Sequence, residues 1–538
     1  MAGGSRIRIV LAALAAVVVA VATAAGAEDD EGPGPRPPVV TAAVQVTTNP
    51  DPTRAHSSPQ IARNPGTGEL VVVETDLYGD FGIDVHVSSD GGRTWAPGGD
   101  PMTEPHTWAS DYAVNGPYAS VAFDYQGVLY VAFTAADPDK AGVHPAERPR
   151  PLFVARSEDS GRTFATTVAY PADATDPGTV DNRRARIAVD SQNPEIVYVS
   201  WVQRAPGGKA RALVAASTDS GRTFGPPVDL AADELQGGYE PRVAVGIDGV
   251  VHAVYPGAGF AATPDTEPVV RPVFYRHSRD LGVTWSPPVV IDEGSAGFAH
   301  NSKHVLVADP VSGDLYLAWY GSAKARRTPE DDNDIYVRSS RDGGRTWGGR
   351  VTVNDDATRQ RLHHYDPGIS IAPNGRVDVA WYDFRNSPSP EVDLPAAPFN
   401  QGGMTDVYYA SSSDEGRTFG PNVRISDRMA DRSIGVWSNN VHSHHNVGIA
   451  SADDAVYFAW QDTRNGNEET NAEDVYFASL LLDPDVALVQ GRSDVPALVL
   501  TGAGIALGMG VAMLLVALAL RTGGPAAARQ PAGAVQSR

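Results

Sequence analysis

The sequence predicts an all-β chain, a seven-bladed β-propeller of four-stranded antiparallel blades, with one apolar segment near each end of the chain. Three observations predict it. An eight-residue motif recurs six times, the stretches between its copies repeat as three short strands seven times, and one unmatched strand before the first repeat completes a ring.

The motif reads Ser-x-Asp-x-Gly-x-Thr-Trp/Phe. Its copies begin at Ser88, Ser157, Ser217, Ser278, Ser340 and Ser412, and so lie 69, 60, 61, 62 and 72 residues apart. Self-similarity at a period near 60 suits one four-stranded propeller blade with generous loops. The Asp carboxylate accepts backbone N–H groups of its own turn, and the Gly takes positive φ where the chain reverses. The Thr favours the strand that follows, and the Trp or Phe is large enough to pack between blades. These six Asp residues therefore read as structural.

Between the motifs, runs such as DIYVRSS (334–340) and DVYYASS (406–412) read as third strands. ELVVVET, VLYVAFT, IVYVSWV, VVHAVYP, DLYLAWY, RVDVAWY and AVYFAWQ read as second strands. First strands precede them, among them PQIARNP, ARIAVDS and GISIAPN. The seventh unit runs through DVYFASLLL (474–482) and has neither motif nor fourth strand. Val40 to Thr48, just before the first unit, resembles the strands that follow each motif, and is expected to supply the missing outer strand. Closure of that kind removes two open sheet edges.

The two ends read differently. Arg6 and Arg8, the apolar run Ile9 to Ala25 and the small residues Ala25-Gly26-Ala27 predict a signal peptide over 1–27, followed by a linker over 28–39. After the propeller (40–483) and a second linker (484–496), Ala497 to Leu520 carries no charge, and Arg521 follows at once. That run is long enough for ~30 Å of hydrocarbon. The positive-inside rule puts the tail, 521–538, in the cytoplasm and the propeller outside, at the cell membrane.

The charge, 43 basic against 65 acidic residues for a net of −22, repels phosphate backbones and excludes nucleic acid as a partner. The complete lack of cysteine excludes disulfides, thiolate metal sites and cysteine nucleophiles. No cofactor is expected, and the chain is expected to be a monomer.

In a propeller, the turns into each first strand and those from second to third strand share one face, around the channel. Eight of the 13 histidines lie just before a first strand: His56, His300, His304, His363, His364, His442, His444 and His445. They fall at blades one, five, six and seven, which are neighbours in a closed ring. Two second strands end in matching tags, Trp381-Tyr382-Asp383-Phe384-Arg385-Asn386 and Trp460-Gln461-Asp462-Thr463-Arg464-Asn465. These read either as ligand-facing groups or as rim clamps in which Asp and Arg pair. Arg186 precedes blade three, Tyr239-Glu240-Pro241-Arg242 precedes blade four, and Asp366 follows the histidines of blade six. Polar groups converging on a concavity predict a binding site on the sector of blades five, six, seven and one. No motif such as H-E-x-x-H fixes a metal, although His442, His444 and His445 could hold a metal or a sugar hydroxyl.

Motifs of this form resemble the Asp-box (BNR) repeat family, which includes sialidases, other glycoside hydrolases and non-catalytic propellers. The resemblance covers Val40 to about Asp483. It implies a surface glycosidase, or a module that binds a glycan or a cell-surface protein. Sialidases bind the substrate carboxylate with an arginine cluster, attack with a tyrosine activated by a glutamate, and use an aspartate as acid/base. Residues of those types stand on the predicted face, with Tyr239, Glu240 and Asp366 as candidates for catalysis and Arg186 and Arg242 for binding, but no motif carries a catalytic residue over from the family. The sequence departs from the pattern, because the Phe/Tyr-Arg-Ile-Pro signature is absent, Arg186-Ile187-Ala188 lacks the proline, and classical sialidases have six blades.

Overall fold

The computed structural model describes residues 37–76, 82–102, 119–135, 150–171, 181–204, 209–233, 237–257, 272–293, 304–321, 333–356, 364–388, 403–435 and 447–482. The predicted signal peptide and membrane helix lie outside them, and no helix among the described residues is long and apolar enough to cross a membrane.

The described strands form seven antiparallel sheets, each a meander in sequence order. Blade one runs through His56–Arg63, Leu70–Asp76, Ile83–Ser88 and Ala96–Pro97. Blade three starts at Asp181–Val189, blade four at Arg242–Val245 and blade six at His364–Ile371. The first strands of successive blades touch one another all the way round, so they line the channel. Blade seven has three strands of its own, Gly448–Ser451, Ala455–Asp462 and Asp474–Leu481. Its outer edge is covered by the N-terminal segment, where Val39 and Val40 pair with Leu481 and Leu480, and Val44 and Gln45 with Phe477 and Tyr476. The expected closure is therefore present, and it begins one residue inside the predicted linker.

The blades alternate apolar residues on both faces because each face is covered by a neighbour. This places one hydrophobic cluster at each of the seven seams. Each motif aromatic packs into the seam with the preceding blade: Trp95, Phe164, Phe224, Trp285, Trp347 and Phe419. The motif glycine has positive φ in all six copies, and at Gly92 a Cβ would overlap the Phe477 ring of blade seven.

All six motifs take one geometry. In the third copy Ser217 Oγ accepts from Gly221 N (2.8 Å) and donates to Asp219 Oδ1 (2.8 Å), while Thr223 donates its N–H to Oδ1 (2.8 Å) and its hydroxyl to Oδ2 (2.6 Å). The threonine is thus a ligand of the aspartate as well as a strand-former. The motifs close the third-to-fourth strand turns, at the end of the propeller opposite the turns that enter the first strands.

Candidate functional site

At the channel end of four first strands, a non-glycine residue adopts a left-handed backbone: Ser58 (φ 54°), Arg184 (φ 59°), Glu240 (φ 38°) and Asp366 (φ 53°). The four positions are equivalent. In blades one, three and six the register of the first strand slips there, between Ser57 and Gln60, Arg183 and Arg186, and Tyr365 and Gly368. Proline follows three of them, as Pro59, Pro241 and Pro367. Such bulges re-aim a side chain, and a left-handed non-glycine residue costs on the order of 1–3 kcal/mol. Three of the four side chains carry charge.

These residues group at two places on the channel face. At the seam of blades three and four, Arg184 forms a close ion pair with Glu240, and Arg242 lies 3.8 Å from the same carboxylate. The Arg184 guanidinium also stands 5.0 Å over the Tyr239 ring, which packs with Val202 and Ala210. Arg242 donates to the His304 carbonyl (2.9 Å), and the His304 ring stacks on Trp319. Arg186 donates to the Ala185 carbonyl (3.0 Å). At blade six, Asp366 lies beside Tyr365 and near Arg432, whose guanidinium is 5.5 Å from the Tyr365 ring and 5.1 Å from that of Phe384. Burial lowers the Arg432 pKa to about 10, against the charges of Tyr365 and Asp366. Gly368 follows the bulge, where a Cβ would collide with the Val447 carbonyl of blade seven.

Of the predicted site histidines, His364 serves the fold. His364 is wholly buried, and both ring nitrogens are engaged. Nδ1 lies 2.6 Å from the Asn333 carbonyl, and Nε2 lies 3.1 Å from Asp356 and 3.3 Å from Asp383. Burial alone would lower its pKa, but the Asp383 and Asp356 charges override this and raise it to about 10. His364 is therefore an imidazolium strut between blades five and six, and the residue two positions on, Asp366, occupies the bulge. His56 and Ser58 repeat the relation in blade one. His300, His363, His442, His444 and His445 lie outside the described residues.

The two Trp-x-Asp-x-Arg-Asn tags form matched clamps. Asp383 Oδ2 accepts from Trp381 Nε1 (2.9 Å) and Arg385 Nε (3.0 Å), and Oδ1 accepts from Arg385 N (2.8 Å). Arg385 reaches on to Asp355 (2.8 Å) and lies 4.1 Å over the Tyr408 ring. In blade seven Asp462 accepts from Trp460 Nε1 (3.2 Å) and Arg464, which lies 4.0 Å over Tyr476. Asp383 and Asp462 are buried, and their oxygens serve the loop. Of the two readings open for these four residues, the geometry supplies the clamp.

Sequence reasoning missed Arg184 and Arg432. A signal for the first existed, because Ser58-Pro59, Glu240-Pro241 and Asp366-Pro367 align with Arg184-Ala185. Arg432 belongs to no repeat position.

No family model matches the chain, and no curated protein matches it. Solved structures do. An α-L-arabinofuranosidase from Fusarium graminearum in complex with an iminosugar inhibitor is 15% identical, over 64% of this chain and 92% of that one, with a TM-score of 0.40. The phage phi92 endosialidase is 11% identical, over 82% and 69%, with a TM-score of 0.43. A polysaccharide lyase of the ulvan lyase type is 12% identical, over 82% and 98%, with a TM-score of 0.45.

Proposed function

We propose that the channel mouth is a site for an extracellular glycan bearing a carboxylate, and that the protein is a sialidase-like glycosidase held at the cell surface by residues 497–520. The observation that carries this reading is the equivalent left-handed placement of Arg184, Glu240 and Asp366 on channel-lining strands. Backbone strain repeated at one position, with charged side chains, is the kind kept where a ligand is gripped. In this reading Arg184 and Arg242 offer guanidinium forks to the sugar carboxylate. Tyr239 acts as nucleophile with Glu240 as its base, and Asp366 acts as acid/base.

One observation favours a second reading, a propeller that binds a glycan without cleaving it. Glu240 is already paired with two arginines, so its carboxylate is held by salt bridges rather than turned to a nucleophile.

A single experiment separates the two. The purified chain is assayed against chromogenic glycosides, including sialosides and uronides, and its binding to a glycan array is measured beside Glu240→Gln and Asp366→Asn variants. Hydrolysis lost in both variants supports the enzyme. Binding without hydrolysis, weakened in both, supports the second reading. Neither hydrolysis nor binding removes both.

A further inference from the structure

Blade one breaks a pattern that the other six keep. Near the channel-face end of each second strand stands an aromatic residue: Phe133, Trp201, Tyr255, Trp319, Trp381 and Trp460. In the aligned register their partners across the third strand are Phe153, Leu213, Phe274, Tyr336, Tyr408 and Tyr476. Each pair packs against the preceding blade. In blade one the pair is Glu74 and Asp84. Two carboxylates directly opposite repel one another, and a buried one is costly unless it is paired.

Two histidines stand on the same face of blade one, His86 two residues along from Asp84 and His56 across from Asp76. Glu74 is wholly buried, and His56 is 1% exposed. His56 Nδ1 lies 2.7 Å from Glu74 Oε1, and His86 Nε2 lies 3.6 Å from the same oxygen. Glu74 Oε2, His56 Nε2 and His86 Nε2 are buried and have no hydrogen-bond partner among the described residues. Buried polar atoms are rarely left so. One ligand atom each from Glu74, Asp84 and His86 fall within 4.8 Å of one another. Ligands about 2.1 Å from a common tetrahedral ion lie about 3.4 Å apart, so little adjustment closes the set. The Asp84 side chain is 47% exposed, which leaves a route from solvent.

We infer that Glu74, Asp84 and His86 form a site for one divalent cation of the zinc class, with His56 as the positioning residue that orients Glu74. The donor set of one imidazole nitrogen and two carboxylates suits zinc better than calcium or magnesium, which take oxygen ligands throughout. An ion there replaces the repulsion of Glu74 and Asp84 with shared coordination and gives the orphaned Glu74 oxygen and His86 nitrogen a partner.

The test uses the full chain, stripped with a chelator and titrated with zinc chloride by calorimetry. The expected result is one ion per chain and a rise in the thermal unfolding temperature on loading. Glu74→Gln and His86→Ala are each expected to weaken zinc binding at least about 10-fold, and His56→Gln about 10–100-fold as a second-sphere change. His277→Ala, outside the cluster, is expected to leave it unchanged. Asp84→Asn, the most exposed ligand, serves if a buried variant does not fold. Absence of saturable zinc binding by the wild-type chain overturns the inference, as does binding that persists in Glu74→Gln, His86→Ala and Asp84→Asn alike.

Discussion

His364 Nε2 lies 3.3 Å from Asp383 Oδ2, with both side chains completely out of solvent. The pair ties the first strand of blade six to its second, and Asp356 brings in the outer edge of blade five.

Loss of that imidazolium leaves the Asp383 and Asp356 carboxylates with Arg385 alone as their cation. We expect His364→Ala to lose about 3 kcal/mol of stability near pH 6, the lower end of the range for breaking a buried pair. The folded-state pKa is raised, from 6.5 to about 10. The contribution is therefore full below pH 6.5 and is lost as pH rises through 10. Urea unfolding at pH 6, 8 and 10 should show the gap between wild type and variant narrowing upward. A gap that widens with pH would mean that the ring is neutral in the fold.

The motif aspartates have the opposite sign. Asp219 is slightly buried, which raises its pKa, but the Thr223 hydroxyl and N–H and the Ser217 hydroxyl outweigh this and hold it down to about 2. Its stabilisation is present above the unfolded value of 3.8 and is lost as pH falls toward 2. Asp219→Ala should cost about 1 kcal/mol at pH 7, a small figure because water screens the turn. The same variant should leave any glycan activity intact, since the turn lies at the far end of the blade. Equal unfolding midpoints for the two proteins at pH 7 would show that the turn holds without its carboxylate.

The ring was legible in the sequence because it is built from local, repeated chemistry. Six motifs set the period, the second strands set the blade count, and Val40 and Val44 could be matched to strands elsewhere that follow a motif. Legibility failed at His364 and His56 for a physical reason. A residue beginning a first strand lies on the channel face in sequence terms, but the blade tops close over it, so His364 and His56 become struts. The bulge then gives the left-handed backbone position to the residue two further on. Glu74 was equally readable as the one acid among six aromatics at its position. It stayed hidden because attention to strand alternation counts it only as one more second-strand residue.

Asp366 allows the strain at the channel mouth to be separated from its purpose. Its φ of 53° and the following Pro367 hold it where an ordinary side chain is disfavoured. Aspartate tolerates that region better than alanine, and glycine better than either. Asp366→Gly should therefore be the more stable of the two truncations, by about 1 kcal/mol over Asp366→Ala in thermal or urea unfolding. If the carboxylate itself meets the ligand, glycan binding or hydrolysis must fall equally in both, regardless of which folds better. If the residue matters only for shaping the bulge that sets Tyr365 and Gly368, the glycine variant should keep function while the alanine variant loses it. The expected result is the first, with function absent in both and stability ordered glycine above alanine. Function retained in Asp366→Gly would remove Asp366 from the proposed acid/base role and leave Glu240 as the remaining carboxylate of the proposed catalytic set.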